Sequence, residues 1–290
     1  MVEIIDGRKI GAEILEKVKR EVDDIKKKGV TPCLAIIRVK GDEPSRIYTE
    51  IKRKRCREAG IKCVVEEIER DCDESYIVNL IERYNVSQDV HGILVQLPLP
   101  NHINRNYVLS KISPLKDVDG LNPITLSKLF VNDELLAPCA AKAVVKILDY
   151  CKIDVEGKDV VIINNSNLIG KPLAIMLSNR FATVSVCHVK TRDLRKYTKN
   201  AEILISATGV PKLIGRNMVK SGVIAIDVGI SKVNGKICGD FDFDGVKEKA
   251  SYITPVPGGV GPVTVAVLLE NLMNAIKLQV NHSALSDGAS

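Results

Sequence analysis

Short, wholly apolar, β-branched runs recur along this chain, separated by longer stretches whose apolar residues fall at helical spacing. The pattern predicts strands over Cys33–Val39, Cys63–Glu67 and His91–Leu97, and then over Val160–Ile163, Thr183–Cys187, Ile203–Ser206, Val223–Asp227 and Tyr252–Thr254. Runs apolar on both faces belong in a parallel sheet covered by helices, and the gaps between them leave room for those helices. The spacing predicts helices over Ile10–Lys27, Arg46–Ala59, Glu74–Tyr84, Cys139–Tyr150 and Val265–Leu278, several of them closed by Gly or Pro. The fold class that follows is α/β, with two α/β domains flanking a cleft and the second a doubly wound parallel sheet.

The stretch Lys158–Leu177 organises the second half. A buried strand runs into Asn164, Asn165, Ser166 and Asn167, and Gly170 and Pro172 then open an apolar helix. Strand, polar turn and helix N-terminus together aim backbone N–H groups and a positive dipole end at an anion, such as a dinucleotide pyrophosphate. Asparagines stand at the first two glycine positions of the usual G-x-G-x-x-G pattern, so a purely structural βα turn remains open on this stretch alone.

Composition narrows the choices. The 290 residues suit two domains, and 45% hydrophobic residues suffice for two cores. Aromatic residues make up only 4%, too few for stacking single-stranded nucleic acid, and a net charge of +6 leans toward anionic small molecules. The eight cysteines (33, 56, 63, 72, 139, 151, 187 and 238) contain no C-x-x-C pair, so reduced thiols and no structural metal are expected. The N-terminus is charged from its third residue, and no run reaches the ~18 uninterrupted apolar residues of a membrane span. A soluble cytoplasmic protein is expected, with no nucleic-acid or membrane partner.

Four places could carry chemistry. Tyr48 and Lys52, four apart, share a helix face, and a desolvated lysine can exchange protons near neutrality. They sit in a charge run, Ile51–Glu58, which as a plain solvated face needs no function. The Y-x-x-x-K spacing of short-chain dehydrogenases is excluded by order, since there the nucleotide turn comes first. Gln96 is a polar residue among apolar ones at a strand's carboxyl end, where α/β sheets bind ligands. Asp117 and Asp119 in K-D-V-D-G could face a planar pair of donors, or simply make a turn. The Gly- and Pro-rich loop Pro255–Pro262 allows close backbone approach to a ligand.

Taken together, the segments resemble the bifunctional methylenetetrahydrofolate dehydrogenase/cyclohydrolase family over about Ile5–Lys277. The residues that carry the resemblance are Pro44-Ser45 with Tyr48 and Lys52, VHGILVQLPLP (Val90–Pro100), KDVDG (Lys116–Gly120), Pro138-Cys139, Ser166 with Ile169-Gly170 and Pro172, Cys187-His188, Ala207–Gly209, Asp227–Ile230 and PVPGGVGPVT (Pro255–Thr264). The resemblance implies oxidation of 5,10-methylenetetrahydrofolate to the methenyl cation by NADP, followed by hydrolysis to 10-formyltetrahydrofolate. It implies a folate-binding catalytic domain over 1–138, completed by a helix over 263–279, and a Rossmann-like NAD(P)-binding domain over 139–262. Residues 280–290 are expected to be a disordered tail.

On this likeness Lys52 is the general acid/base, Gln96 tunes it, Tyr48 lies against the pterin and p-aminobenzoyl rings, and Asp119 clasps the pterin donors. Leu97, Pro98, Pro257, Gly258 and Gly259 complete the substrate site. Cofactor contacts fall to Asn164, Asn165, Ser166, Ile169, His188, Val189, Lys190, Thr208, Gly209, Asp227, Gly229, Ile230, Gly259 and Thr264. The chain departs from the family where G-R-S becomes Asn164-Asn165-Ser166, where C-H-S becomes Cys187-His188-Val189, and where P-C-T-P becomes Pro138-Cys139-Ala140-Ala141. NADP is favoured over NAD because Lys190 and Arg192, rather than an acid, follow the second strand. A homodimer is expected from the resemblance. A shikimate- or amino-acid-type dehydrogenase and a non-catalytic nucleotide-binding regulator are the alternatives. Arg53, Lys54, Arg55 and Arg57 are a further candidate, as a site for a polyglutamate tail.

Overall fold

The computed structural model describes residues 2–287, with side chains described through 282. In chain order the elements are β1 (Glu3–Ile4), α1 (Gly7–Lys27), β2 (Cys33–Val39), α2 (Glu43–Glu58), β3 (Lys62–Ile68), α3 (Glu74–Val86), β4 (Gly92–Gln96), α4 (Arg105–Ser110), α5 (Pro123–Lys128) and α6 (Cys139–Tyr150). There follow β5 (Asp159–Ile163), α7 (Gly170–Ser178), β6 (Thr183–Cys187), α8 (Leu194–Thr198), β7 (Ile203–Ser206), β8 (Ile224–Asp227), β9 (Ser231–Val233), β10 (Lys236–Cys238), α9 (Phe243–Lys247), β11 (Tyr252–Ile253) and α10 (Val260–Asp287).

The chain forms two compact units. One comprises Glu13–Lys128, Leu135–Cys139 and Val265–Ser290, and is built on the parallel sheet β3-β2-β4. Every residue of the central strand β2 is buried, as its unbroken apolar run requires. Register sets Leu34 beside Cys63 and Gly92, and Arg38 beside Glu67 and Gln96. On α1, Ile14, Val18 and Val22 recur every fourth residue and are buried. Helix α2 is started by Asp42, whose carboxylate accepts from Ser45 N–H at 2.8 Å, with Pro44 in its first turn. Its inner face (Ser45, Thr49, Cys56) is buried, and its outer face is laced by Glu50–Arg53 at 3.5 Å and Glu58–Arg55 at 2.7 Å. A side chain at Gly92 would meet Val118 at 2.5 Å and Leu272 at 2.7 Å, so glycine lets α10 lie against β4.

The other unit comprises Met1–Ala12, Leu129–Glu134 and Ala140–Thr264, with a six-stranded sheet in the order β1-β11-β8-β7-β5-β6. All its pairs are parallel, as a doubly wound sheet demands. Its core gathers Val161, Ile163, Leu204, Ala225, Phe241 and Ile253.

Three expectations need correcting. Residues 1–12 belong with the six-stranded sheet rather than with the unit that follows them, because β1 extends the edge at β11, with Ile5 N–H donating to Ile253 O at 2.9 Å. The loop expected over Pro255–Pro262 ends early, since α10 begins at Val260 and takes in Gly261 and Pro262. That helix continues to Asp287, so most of the expected tail is helical; 288–290 lie outside the described residues. Val260–His282, at a mean hydropathy of 1.3, is long and apolar enough to cross a membrane, yet 61% of that stretch is buried inside the protein. Its apolar residues, Leu268, Leu269, Leu272, Met273 and Ile276 among them, serve the core.

Candidate active site

In the three-stranded unit, Lys52 leaves the inner side of α2 and its Nζ donates to Gln96 Oε1 at 2.8 Å. Gln96 ends β4, and its Nε2 donates in turn to Leu97 O at 2.9 Å, which fixes the amide with its oxygen toward the lysine. The odd polar residue of an apolar strand thus has its partners. Pro98 follows through a cis peptide bond.

The third group arrives on the loop after β4. Asp117 is fully buried, and its carboxylate accepts from Leu121 N–H at 3.2 Å and Asn122 N–H at 2.8 Å. Ile93 N–H donates to Lys116 O at 2.8 Å, stitching the loop to β4. Gly120 has a φ of +71°, and a side chain there would strike Leu136 O at 2.2 Å, so the turn admits only glycine. This frame brings Asp119 within electrostatic reach of Lys52 and its carboxyl within hydrogen-bonding reach of Cys139. The loop is pinned from α10 as well. Asn271 is fully buried, and its Nδ2 donates to Val118 O and to Ala137 O, each at 3.0 Å.

Burial dominates the electrostatics. It lowers the pKa of Lys52, against the opposing charge of Asp119, so the neutral amine is within reach. Burial raises Asp119, partly offset by Lys52 and by the hydrogen bond with Cys139. Tyr48, one helical turn before Lys52, is raised by burial and stays a phenol. Of the two aspartates read together in the sequence, Asp117 holds the loop and Asp119 is the one near the lysine. Asn271 and Cys139 were missed as site-building residues, and only an Asn inside an apolar helix hinted at the first.

In the six-stranded unit, the carboxyl ends of β8, β7, β5 and β6 lie side by side, where open α/β sheets bind their ligands. They carry Gly229 and Ile230, Thr208 and Gly209, Asn164–Ser166, and His188–Lys190 respectively. The turn after β5 is built differently from the anion cradle expected. Asn164 Oδ1 accepts from Ser166 N–H at 2.8 Å, Ser166 Oγ at 2.7 Å and Gly170 N–H at 3.0 Å, while its Nδ2 donates to Ala207 O at 2.6 Å. Ile169 N–H is taken by Ser166 Oγ at 3.2 Å. The asparagine therefore caps α7 from within, and less of the helix end faces outward than the pattern implies. Gly170 is obligatory, since a Cβ there would lie 1.9 Å from Asn164 O. Asn165, His188, Val189 and Lys190 are exposed.

Asp227, at the end of β8, has a structural task. Its carboxylate accepts from the N–H groups of Gly229 (3.1 Å), Asp240 (3.1 Å) and Phe241 (2.9 Å), tying 239–241 to β8. Burial pushes its pKa up to about 7 despite those bonds. Thr208 N–H donates to Asp240 Oδ2 at 2.6 Å, and Thr264 Oγ donates to Val260 O at 3.1 Å. Pro257 follows a cis bond, Gly258 has φ +113°, and Gly259 packs against Gly7; all three lie in this unit and not in the one that carries Lys52.

A doubly wound parallel sheet in one unit and a half-buried lysine paired with an amide in the other define a two-unit α/β protein of the nucleotide-dependent enzyme type. Comparison with known proteins specifies it further. Residues 5–119 match the tetrahydrofolate dehydrogenase/cyclohydrolase catalytic domain, and residues 138–280 match the NAD(P)-binding domain of the same family. The bifunctional protein FolD of Thermodesulfovibrio yellowstonii is 47% identical over 278 residues, covering 96% of this chain and 97% of that protein. The bifunctional FolD methylenetetrahydrofolate dehydrogenase/cyclohydrolase of Campylobacter jejuni superposes with a TM-score of 0.92 at 45% identity, covering 96% of this chain and all of that one. The Trypanosoma brucei FolD, solved with NADP cofactor and inhibitor, gives 0.92 at 35% identity, covering 96% and 98%. The chain belongs to the tetrahydrofolate dehydrogenase/cyclohydrolase family and is a bifunctional enzyme of folate-borne one-carbon units. The shikimate-type and non-catalytic readings are thereby set aside.

Proposed function

We propose that Lys52 moves the proton of the hydrolytic half-reaction and that NADP is the oxidant of the other. The hydrogen bond from Lys52 Nζ to Gln96 Oε1, made by a lysine whose pKa burial lowers, carries this reading. NADP, when bound, supplies a hydride acceptor for the methylene carbon. The resulting methenyl cation gains a water at that carbon. Neutral Lys52 takes one proton of the water, then returns it to N5 as the C–N5 bond breaks and the remaining hydroxyl proton passes to solvent, leaving the formyl group on N10. A neutral lysine also avoids repelling the cation. Gln96 aims the amine, Asp119 accepts the pterin donors, and Tyr48 offers a flat, uncharged face. Leu97, Pro98 and Pro257–Gly259 are proposed to border the substrate.

For the cofactor, Ser166, Thr208, Gly209 and Ile230 lie at the strand ends, and Lys190 and Arg192 follow β6 where an acid would favour NAD. Replacement of the usual Arg by exposed Asn165 leaves those two cations to meet the extra phosphate. We place the enzyme in the cytoplasm as a homodimer assembled through the six-stranded unit, whose sheet ends at β6. Domain limits of 13–128 and 135–139 plus the body of α10 for folate chemistry, and of 129–134 and 140–264 with the first twelve residues for the nucleotide, follow the two units. The test is absorbance growth of methenyltetrahydrofolate from methylenetetrahydrofolate with NADP and NAD in parallel. NADP should give the higher kcat/KM; equal values, or a preference for NAD, would refute the cofactor reading.

A further inference from the structure

Cysteines 56 and 63 have no part in the folate chemistry, yet the fold sets them face to face. Lys52 reaches Gln96, so the sheet face that bears Gln96 is the one α2 covers. Gln96 is in register with Arg38, and strand alternation puts Leu34 and its partner Cys63 on that same face. Cys56 is the fully buried cysteine on the inner side of α2, four residues beyond Lys52. The two thiols are close enough that each shifts the titration of the other. Cys33, one position out of that alternation, points to the opposite face.

We propose that Cys56 and Cys63 form a dithiol site that exchanges with low-molecular-weight disulfides of the glutathione class, and that its oxidation slows the hydrolytic reaction at Lys52. The two thiols differ as attacking and resolving thiols must. Cys63 lies on the edge strand β3, is partly exposed, and is drawn toward the thiolate by the neighbouring Cys56 thiol and by Arg53, against burial and Glu50. Cys56 is held protonated by the neighbouring Cys63 and by burial. The Cys63 thiolate attacks one sulfur of the oxidised reagent, and a glutathione thiolate leaves, taking up a proton. Cys56 then gives its proton to solvent and attacks Cys63 Sγ in the mixed disulfide, releasing a second glutathione. Two thiols lose two electrons and two protons; one disulfide is reduced to two thiols. Drawing the sulfurs from contact to a bond of about 2 Å moves α2 one turn from Lys52. A displacement near 1 Å at a proton-transfer group can cost as much as ~10²-fold in rate, so a loss of about tenfold is expected.

The regulatory half of this proposal rests on Lys52 being the proton carrier; the chemical half does not. The full-length protein is incubated with glutathione disulfide at neutral pH, quenched in acid, alkylated under denaturing conditions and mapped by mass spectrometry. Cys56 and Cys63 should lose alkylation together and appear as one cross-linked peptide pair, while Cys33 stays alkylated. Cys63→Ser should abolish the cross-link with its basal cyclohydrolase rate unchanged, and Cys56→Ser should stop at a mixed disulfide on Cys63. Continued alkylation of Cys63, or a wild-type mixed disulfide that never resolves, would overturn the site. An oxidised enzyme with an undiminished cyclohydrolase rate, or a loss not reversed by dithiothreitol, would overturn the regulation. Failure of the Lys52 assignment shows separately, in variants of the reduced enzyme.

Discussion

Lys52→Met separates the two reactions. The substitution keeps most of the aliphatic stem on the inner side of α2 and deletes the Nζ that donates to Gln96 Oε1. Positioned acid–base catalysis is worth about 10²- to 10⁴-fold. At ~1.4 kcal/mol per decade, the hydrolytic barrier should rise by about 3–5 kcal/mol. Hydride transfer moves no proton through this residue, so the dehydrogenase rate should fall by no more than about tenfold. Stability should change little. Leaving Gln96 Oε1 unpaired costs about 1–3 kcal/mol, and removing a buried cation offsets part of it. Decay of methenyltetrahydrofolate absorbance reports hydrolysis, and its formation with NADP reports oxidation. In the wild type the hydrolytic kcat should rise with pH to a plateau set by a group below the ordinary lysine value of 10.5. Gln96→Glu, which sets a negative charge against the amine, should push that rise to higher pH. Equal loss of both activities in Lys52→Met, or a hydrolytic pH profile unmoved by Gln96→Glu, would refute the assignment.

Two further outcomes concern the frame. Asn271→Leu, of similar size, strands the Val118 and Ala137 carbonyls and should destabilise the protein by about 2–4 kcal/mol in denaturant titrations, with cyclohydrolase activity more heat-sensitive than in the wild type. Asp227 titrates at about 7 in the folded state, above its unfolded value, so its contribution favours folding below about pH 4 and is lost as pH rises through 7. Asp227→Asn should accordingly flatten the slope of unfolding free energy against pH between about 4 and 7, a contribution on the order of 4 kcal/mol; an unaltered slope would contradict the burial argument.

Much of the architecture is legible in the sequence, and the failures have physical causes. Strand β7 falls where its apolar run puts it because it is buried along its length, and helix α6 because its apolar residues Val144, Val145, Ile147 and Leu148 are buried. Strand β1 left no such signal, since both its residues are exposed and only a pairing some 250 residues away in the chain makes it a strand. The β9–β10 hairpin was missed although Asn234-Gly235, both at positive φ, is a strong two-residue turn. Lys52 with Gln96 could be suspected from a polar residue in an apolar strand, but their contact spans 44 positions and comes from register alone. Asn164 was read as a lost glycine, whereas its side chain rebuilds the turn it interrupts. Cys56 and Cys63, seven residues apart without a metal-type spacing, read in the sequence only as reduced thiols, and only a helix laid on a strand makes them a pair.

The grip of Asn271 on Val118, 153 positions earlier, bears on how the enzyme is made. On a ribosome the three parallel strands and the lysine-bearing helix emerge first, but the carbonyls that set the Asp119 loop wait for the last helix to be synthesised. The folate unit is completed only after the nucleotide sheet has left the exit tunnel. A chain stalled before residue 271 would hold the lysine and the amide without the clamp that sets the aspartate beside them.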